Sequence, residues 1–238
     1  GGTPHWILID KNGNLAYYEN QIDQYQQDHY QLIWSGKISG KLTLNTALHY
    51  TRGKGYYENY KERASLRNYQ LPDIIIGGDT ITKTNLINRK MLDNHFAGIT
   101  FSGVYSVPEK LQVILGGAWN RYHGKHIGKV IWAEFMAADD NDHDWYFNEG
   151  YKYDFNLYTK ANYHMNKWFS LFADLQYRRV DYKMEGILDN LLPLEQQHQF
   201  DFFNPKAGLY ISLPHHHELF ISFGIANREP SRDRKSVV

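Results

Sequence analysis

Histidine, acidic and aromatic side chains gather in a few stretches of this chain, and each gathering implies a chemistry. His215, His216 and His217 stand in a row, and imidazole is a common transition-metal ligand. Consecutive residues of a turn point in different directions, so the triplet reads as a solvated turn. The stretch AADDNDHDWYFNEG, Ala137 to Gly150, concentrates Asp139, Asp140, Asp142, Asp144 and Glu149. Carboxylates at that density suit calcium, but their order departs from the D-x-[DN]-x-[DN]-G pattern of a calcium loop. A solvated acidic loop is expected, with no metal and no other cofactor.

Ligand recognition has better candidates. Tyr56, Tyr57, Tyr60, Trp132, Trp145, Tyr146 and Phe147 offer rings for stacking on a sugar or chelate. His123 and His126 flank Gly124-Lys125, within reach of a haem or iron chelate. Arg52, Lys54, Lys61, Arg63, Arg67, Arg89, Lys90, Arg121 and Lys125 would suit anionic ligands or lipopolysaccharide phosphates. The predicted ligand-binding set, placed on loops, is Tyr56, Tyr57, Arg121, His123, His126, Trp132, Trp145 and Tyr146. Loop packing, a membrane girdle or a solubilising basic rim would use the same residue types.

Catalysis finds little support. Neither G-x-S-x-G nor H-E-x-x-H occurs. Ser102 with His95 lacks an orienting group, and Asp174 with Arg178, four apart on one strand face, reads as an ion pair. The chain is expected not to be an enzyme.

The elements that carry these residues follow a period of two. In YDFNLYTKANYHMNKWFSLFADLQYRRVDY, Tyr153 to Tyr182, the residues Tyr153, Phe155, Leu157, Thr159, Ala161 and Tyr163 share one face. Asp154, Asn156, Tyr158, Lys160, Asn162 and His164 share the other. About eight such segments are visible, including 23–35, 41–56, 95–107, 111–122, 199–213 and 218–227. No stretch sustains a helical period, so the chain is all-β. Connections alternate between short turns (SGKISGK, SVPEK, HMNKW, LPHHHE) and long spans at about 53–93, 123–150 and 183–197. Three long loops on one end are uncommon in a compact domain. They fit an antiparallel transmembrane β-barrel with short periplasmic turns and long extracellular loops. Strands of ~11–15 residues would cross a bilayer at a tilt. A soluble β-sandwich or lectin-like domain also alternates apolar and polar residues.

Composition bounds the rest. The 238 residues carry 26 basic and 26 acidic side chains, which gives no electrostatic reason for a nucleic-acid partner. The absence of cysteine excludes disulfides and thiolate metal sites. Mean hydropathy is −0.61, which is uninformative for a barrel whose strands hide apolar residues in alternation.

The segments LNTALHYTRGKGYYENYK, LINRKMLDNHFAGITFSGVY, GGAWNRYHGKHIGKVIWAEF and FDFFNPKAGLYISLPHHHELFISFGIANREP resemble the barrel of TonB-dependent outer-membrane receptors, particularly those of Bacteroidetes-type bacteria. The resemblance covers residues 1–230, while 231–238 read as a non-native tail. It implies part of a 22-stranded barrel, with the plug domain, TonB box and terminal strands outside this stretch. It also implies energy-coupled uptake of a scarce ligand through a TonB complex, within outer-membrane lipid and lipopolysaccharide. A ferric siderophore or similar chelate is the first expectation for cargo; haem, cobalamin and glycans stay open. A passive porin or structural barrel, and a soluble carbohydrate-binding β domain, are the alternatives.

Overall fold

The structure, a computed structural model, describes residues 7–9, 15–17, 22–136 and 142–230. The strands among them are β1 (Ile7–Ile9), β2 (Leu15–Tyr17), β3 (Asp23–Lys37), β4 (Leu42–Ser65), β5 (Ile74–Ile76), β6 (Asp79–Ile81), β7 (Lys83–Val107), β8 (Leu111–Ala133), β9 (His143–His164), β10 (Phe169–Ile187), β11 (Pro193–Ser212) and β12 (Glu218–Gly224). β1 pairs with β2, and β5 with β6, as two small ribbons. The other eight form one antiparallel sheet in the order β12-β11-β10-β9-β8-β7-β4-β3. With the β5–β6 ribbon set aside, spatial order is chain order. The connections 38–41, 108–110, 165–168 and 213–217 therefore collect at one end, and 66–82, 134–142 and 188–192 at the other; the last is as short as 213–217, so only two of the three expected long loops are long. The acidic residues Asp139 and Asp140 and the 231–238 tail lie outside the described residues.

The eight alternating segments are the eight strands of this sheet, but most are longer than the pattern predicts. β4 runs 24 residues, β7 25, β8 23 and β9 22. Most of the predicted loop spans are strand, leaving connections only at 66–82, 134–142 and 188–192. The hydrophobic period stops near residue 50 of β4 because the faces beyond it are both polar, while the backbone ladder continues to Ser65. At ~3.3 Å per residue, β7 extends about 80 Å, far more than a tilted strand needs to cross hydrocarbon ~30 Å thick.

Register aligns the apolar positions into a belt. Leu48 faces Leu32 on β3 and Ile99 on β7, and Ile99 faces Trp119 on β8. Trp119 faces Phe155 on β9, and Leu171 on β10 faces both Tyr163 and Leu209. On each strand the belt covers roughly nine residues from the turn end, within the 9–11 of a crossing strand. Above it the same face turns polar or charged, at Arg52, His95, Arg121, Arg179 and Asp201.

The belt is the more exposed face. Along β10 the belt residues Leu171, Ala173, Leu175 and Tyr177 are exposed, whereas Phe172, Asp174, Gln176 and Arg178 on the opposite face are half-buried. Leu157 and Leu171 are 39% and 42% exposed, and every buried hydrophobic residue lies off the belt. Among the described residues no second layer covers it, as a sandwich would require.

The hydrophobic core lies at the far end, on the opposite face. The connection 66–82 opens with a 3-10 turn, Leu66–Tyr69, and folds back over the strands. Leu66 and Leu71 pack there against Leu86, Val130, Trp145 and Tyr146, all buried. Gln70 closes the turn in the left-handed region and donates its side-chain amide to the Trp145 carbonyl at 2.6 Å. His143 Nε2 meets the Tyr69 carbonyl at 2.8 Å, so polar contacts pin the segment as well. Replacing Trp145 with alanine should cost about 3–5 kcal/mol of local stability. Limited proteolysis should then cut within 66–82 under conditions that leave the parent protein intact.

Candidate ligand-binding site

The face opposite the belt is a wall of paired polar groups. Arg178 on β10 binds Asp154 on β9, with Nε–Oδ1 at 3.1 Å. Glu229, in the segment after β12, receives Lys152 at 2.7 Å and lies 3.7 Å from Arg178. Asp174 sits 3.8 Å from Lys160. The predicted Asp174–Arg178 pair is therefore replaced by two cross-strand pairs, Lys160 directly opposite Asp174 and Asp154 diagonal to Arg178, because opposed and diagonal neighbours lie closer than side chains four apart along an extended strand. His49 and Asn120 are 2.9 Å apart on the same face. Ser102 accepts from Asn45 on this face, while His95 bonds Tyr50 on the belt face. Opposite faces rule out a Ser–His couple.

Tight packing accompanies the pairing. A Cβ at Gly208 would collide with the Phe172 ring and the Ile221 carbonyl, and one at Gly116 would stand 2.6 Å from the Tyr158 hydroxyl. These glycines let aromatic rings lie flat across the strands.

At the far end of this wall, beneath the folded 66–82 segment, a cavity of about 370 Å³ opens. β4 contributes Asn59, the 3-10 turn Asn68 and Tyr69, β7 Asn88 and Lys90, and the β10–β11 turn Asp189 and Asn190. Lys90 Nζ reaches Asp189 at 2.7 Å across the width of β8 and β9, holding that turn inward. Trp145 Nε1 donates to the Asp189 carbonyl at 3.3 Å. Asn88 is 1% exposed and gives its amide to Tyr69 Oη at 3.1 Å, while its Oδ1 has no partner among the described residues. Burial pushes the Tyr69 phenol up, partly offset by Asn88, and drives Tyr146 to about 12. Both phenols stay protonated at neutral pH.

The eight predicted ligand residues do not converge, and none lies on a loop. Tyr56 and Tyr57 belong to β4, Arg121, His123, His126 and Trp132 to β8, and Trp145 and Tyr146 to β9. Trp145 and Tyr146 are buried in the core. Tyr56, Arg121 and His123 share the belt's face, with the Arg89 guanidinium over Tyr56 at 4.5 Å and that of Arg121 over Tyr153 at 5.6 Å. Tyr57 and His126 are exposed on the opposite face, and Trp132 is exposed near the end of β8. Trp145, Lys61 and Lys90, all expected for ligand recognition, do line the cavity; its asparagines and Asp189 were missed because, spread over residues 59–190, such residues ordinarily signal turns. No cluster of side chains among the described residues could hold a metal ion. His215 occupies the left-handed region within the tight turn Pro214–His216.

Just above the belt, rings cross five strands as a ladder: Tyr30, Tyr50, His95, His123 and Tyr151. Neighbouring centroids are 6.1, 6.1, 6.5 and 4.3 Å apart. His123 Nε2 lies 3.0 Å from Glu149 Oε2. That hydrogen bond, more than any other contact, holds the Glu149 carboxyl below its usual range. A depressed carboxyl contributes stability above its unfolded pKa and loses it as pH falls through the folded value. Glu149→Gln should thus lower the stability read from urea unfolding at pH 7 by about 0.5–1 kcal/mol, a difference that should fade as pH falls through the folded carboxyl's lowered range.

No family model matches the chain, and no curated protein matches it. Among solved structures it is similar in fold to the ferric-catecholate import receptor Fiu of E. coli K12 in its open form, with TM-score 0.59 and 12% identity. The match covers 92% of this chain and 38% of that one, so the chain spans well under half of that receptor's length. The likeness is one of fold: the antiparallel sheet of this chain is related to part of that receptor's fold.

Proposed function

We propose that this chain forms part of the wall of an outer-membrane receptor that takes up a scarce ligand by energy-coupled transport. The belt carries the reading. The main strands present apolar side chains for about the length that crosses hydrocarbon, and along β10 the belt face is the exposed one. A soluble sheet buries its apolar face; a membrane wall presents it to acyl chains. In this reading Arg52, Arg121 and the ring ladder meet lipopolysaccharide head groups, and the paired polar face looks into the lumen.

The fold likeness to an import receptor supports the transport role. Coupling would run through a plug domain elsewhere in the protein to a TonB complex. Ferric siderophores or similar chelates are the first cargo class, with haem, cobalamin and glycans beside them. The folded 66–82 segment covers part of the lumen face, which favours a gated receptor over a passive porin.

Two measurements test this on the full-length protein. Leu175→Arg, in the belt, should reduce outer-membrane assembly, with a cost of ~2–4 kcal/mol near the bilayer midplane; Gln176→Arg, on the next residue but facing the lumen, should assemble normally. Equal tolerance of both would refute the membrane wall. Accumulation of a radiolabelled ferric chelate should collapse when a protonophore is added; uptake insensitive to it would point to a passive pore.

A further inference from the structure

The two rims of the belt carry charge in different ways. Beyond its far edge carboxylates stand beside the cations: Arg52 meets Asp93 at 3.3 Å, His123 meets Glu149 at 3.0 Å and Arg179 meets Asp181 at 3.0 Å. At the turn end Lys37, Lys41, Lys110 and Lys167 stand against only two carboxylates, Glu109 and Glu218. Glu218 already accepts the Tyr210 hydroxyl. All four lysines are exposed, and among the described residues none takes part in an ion pair.

Backbone register sets the turns at one level. The Ser106 N–H donates to the Lys41 carbonyl at 2.8 Å, and the His164 N–H to the Lys110 carbonyl at 2.9 Å. The next turn repeats the bond, from the Ser212 N–H to the Trp168 carbonyl at 2.8 Å. Lys41, Lys110 and Trp168 each stand immediately before the first belt residue of their strand, Leu42, Leu111 and Phe169. β4, β8 and β10 alternate with β7 and β9 in the sheet, so these positions recur roughly every 10 Å across it. The Lys167 ammonium lies 5.0 Å from the centroid of the Trp168 ring, and Ile38, Met165 and Leu213 of the same turns are exposed. Ammonium groups on long apolar stems, beside an amphipathic ring at the boundary of an apolar band, reach the level of lipid head groups.

We infer that the turn end of the sheet binds anionic phospholipid, with Lys41, Lys110 and Lys167 on the head-group phosphates. The inference rests on the membrane reading of the belt and adds a lipid partner to it. A choline or ethanolamine head group compensates its own phosphate, whereas a glycerol head group leaves the negative charge uncompensated. Lysines without carboxylate partners therefore select the second kind.

The test uses the full-length protein reconstituted in phosphatidylcholine bilayers, with nitroxide-labelled phosphatidylglycerol and phosphatidylcholine as probes. At low salt the motionally restricted lipid should favour phosphatidylglycerol by about fivefold, and salt at about 1 M should erase the preference. Lys41→Gln, Lys110→Gln and Lys167→Gln combined should bring the ratio close to one without moving the thermal midpoint, since all three side chains are exposed. The matching triple substitution to arginine should keep the preference. No preference in the parent protein, or an undiminished one in the glutamine triple, would overturn the inference; the second result would assign the lipid to the opposite rim, at Arg52 and Arg121. Insertion without preference sinks this inference alone, whereas failure to insert into bilayers sinks the membrane wall with it.

Discussion

In the proposed membrane wall hydrocarbon would offer a peptide group no hydrogen-bond partner, and the pairing of this sheet meets that constraint. Each inner strand pairs with a neighbour on both sides, in unbroken register from Phe169 opposite Ile211 to Ile187 opposite Pro193 between β10 and β11. With backbone groups spoken for, the side chains alone distinguish the two faces. One carries leucine, isoleucine and aromatic residues outward. The other carries ion pairs, amides and aromatic rings lying over glycines, and along β10 its residues are half-buried while the apolar ones are exposed. A sheet with its greasy face bare and its polar face sheltered inverts the usual arrangement of a soluble domain.

Past the belt the same ladder serves a different purpose. The strands continue for many residues as a two-sided polar wall, and the connections at their tips fold inward onto the sheltered face. Leu66 and Leu71 supply the apolar contacts that dock the 66–82 segment, while the Lys90–Asp189 pair draws in the β10–β11 turn. A small core forms where the belt no longer supplies burial. Its rigidity gives the neighbouring amides fixed positions, which flexible loops would not.

Much of this was legible beforehand, for identifiable reasons. Alternation around Leu157, Leu171 and Leu209 specified both the strands and the face they share, because a one-residue slip would move every apolar side chain to the wrong side. The turns Lys41, Lys110 and Asn166 adjoin were marked by their composition. The strand extensions were invisible because neither face of residues 51–65 is apolar, so backbone pairing there leaves no hydrophobic period. Trp145 and Tyr146 looked like binding residues because aromatic side chains serve recognition and burial equally well; only the fold back of Leu66 decides which. The Asp174–Arg178 expectation failed because the neighbouring strand offers closer partners, Lys160 directly opposite Asp174 and Asp154 diagonal to Arg178. The asparagines of the cavity come together from positions up to 131 residues apart (Asn59 to Asn190), and no local pattern joins them.

The central claim is that the belt face contacts acyl chains while its opposite contacts water. Nitroxide labels placed one at a time at positions 169 through 177 of the full-length protein in lipid bilayers test it most directly. Oxygen accessibility should peak at the odd positions and water-soluble nickel chelate accessibility at the even ones, with opposite phase along the strand. Odd positions shielded from both reagents, or open to the nickel chelate, would mean that protein or water covers the belt, and the membrane account would be wrong.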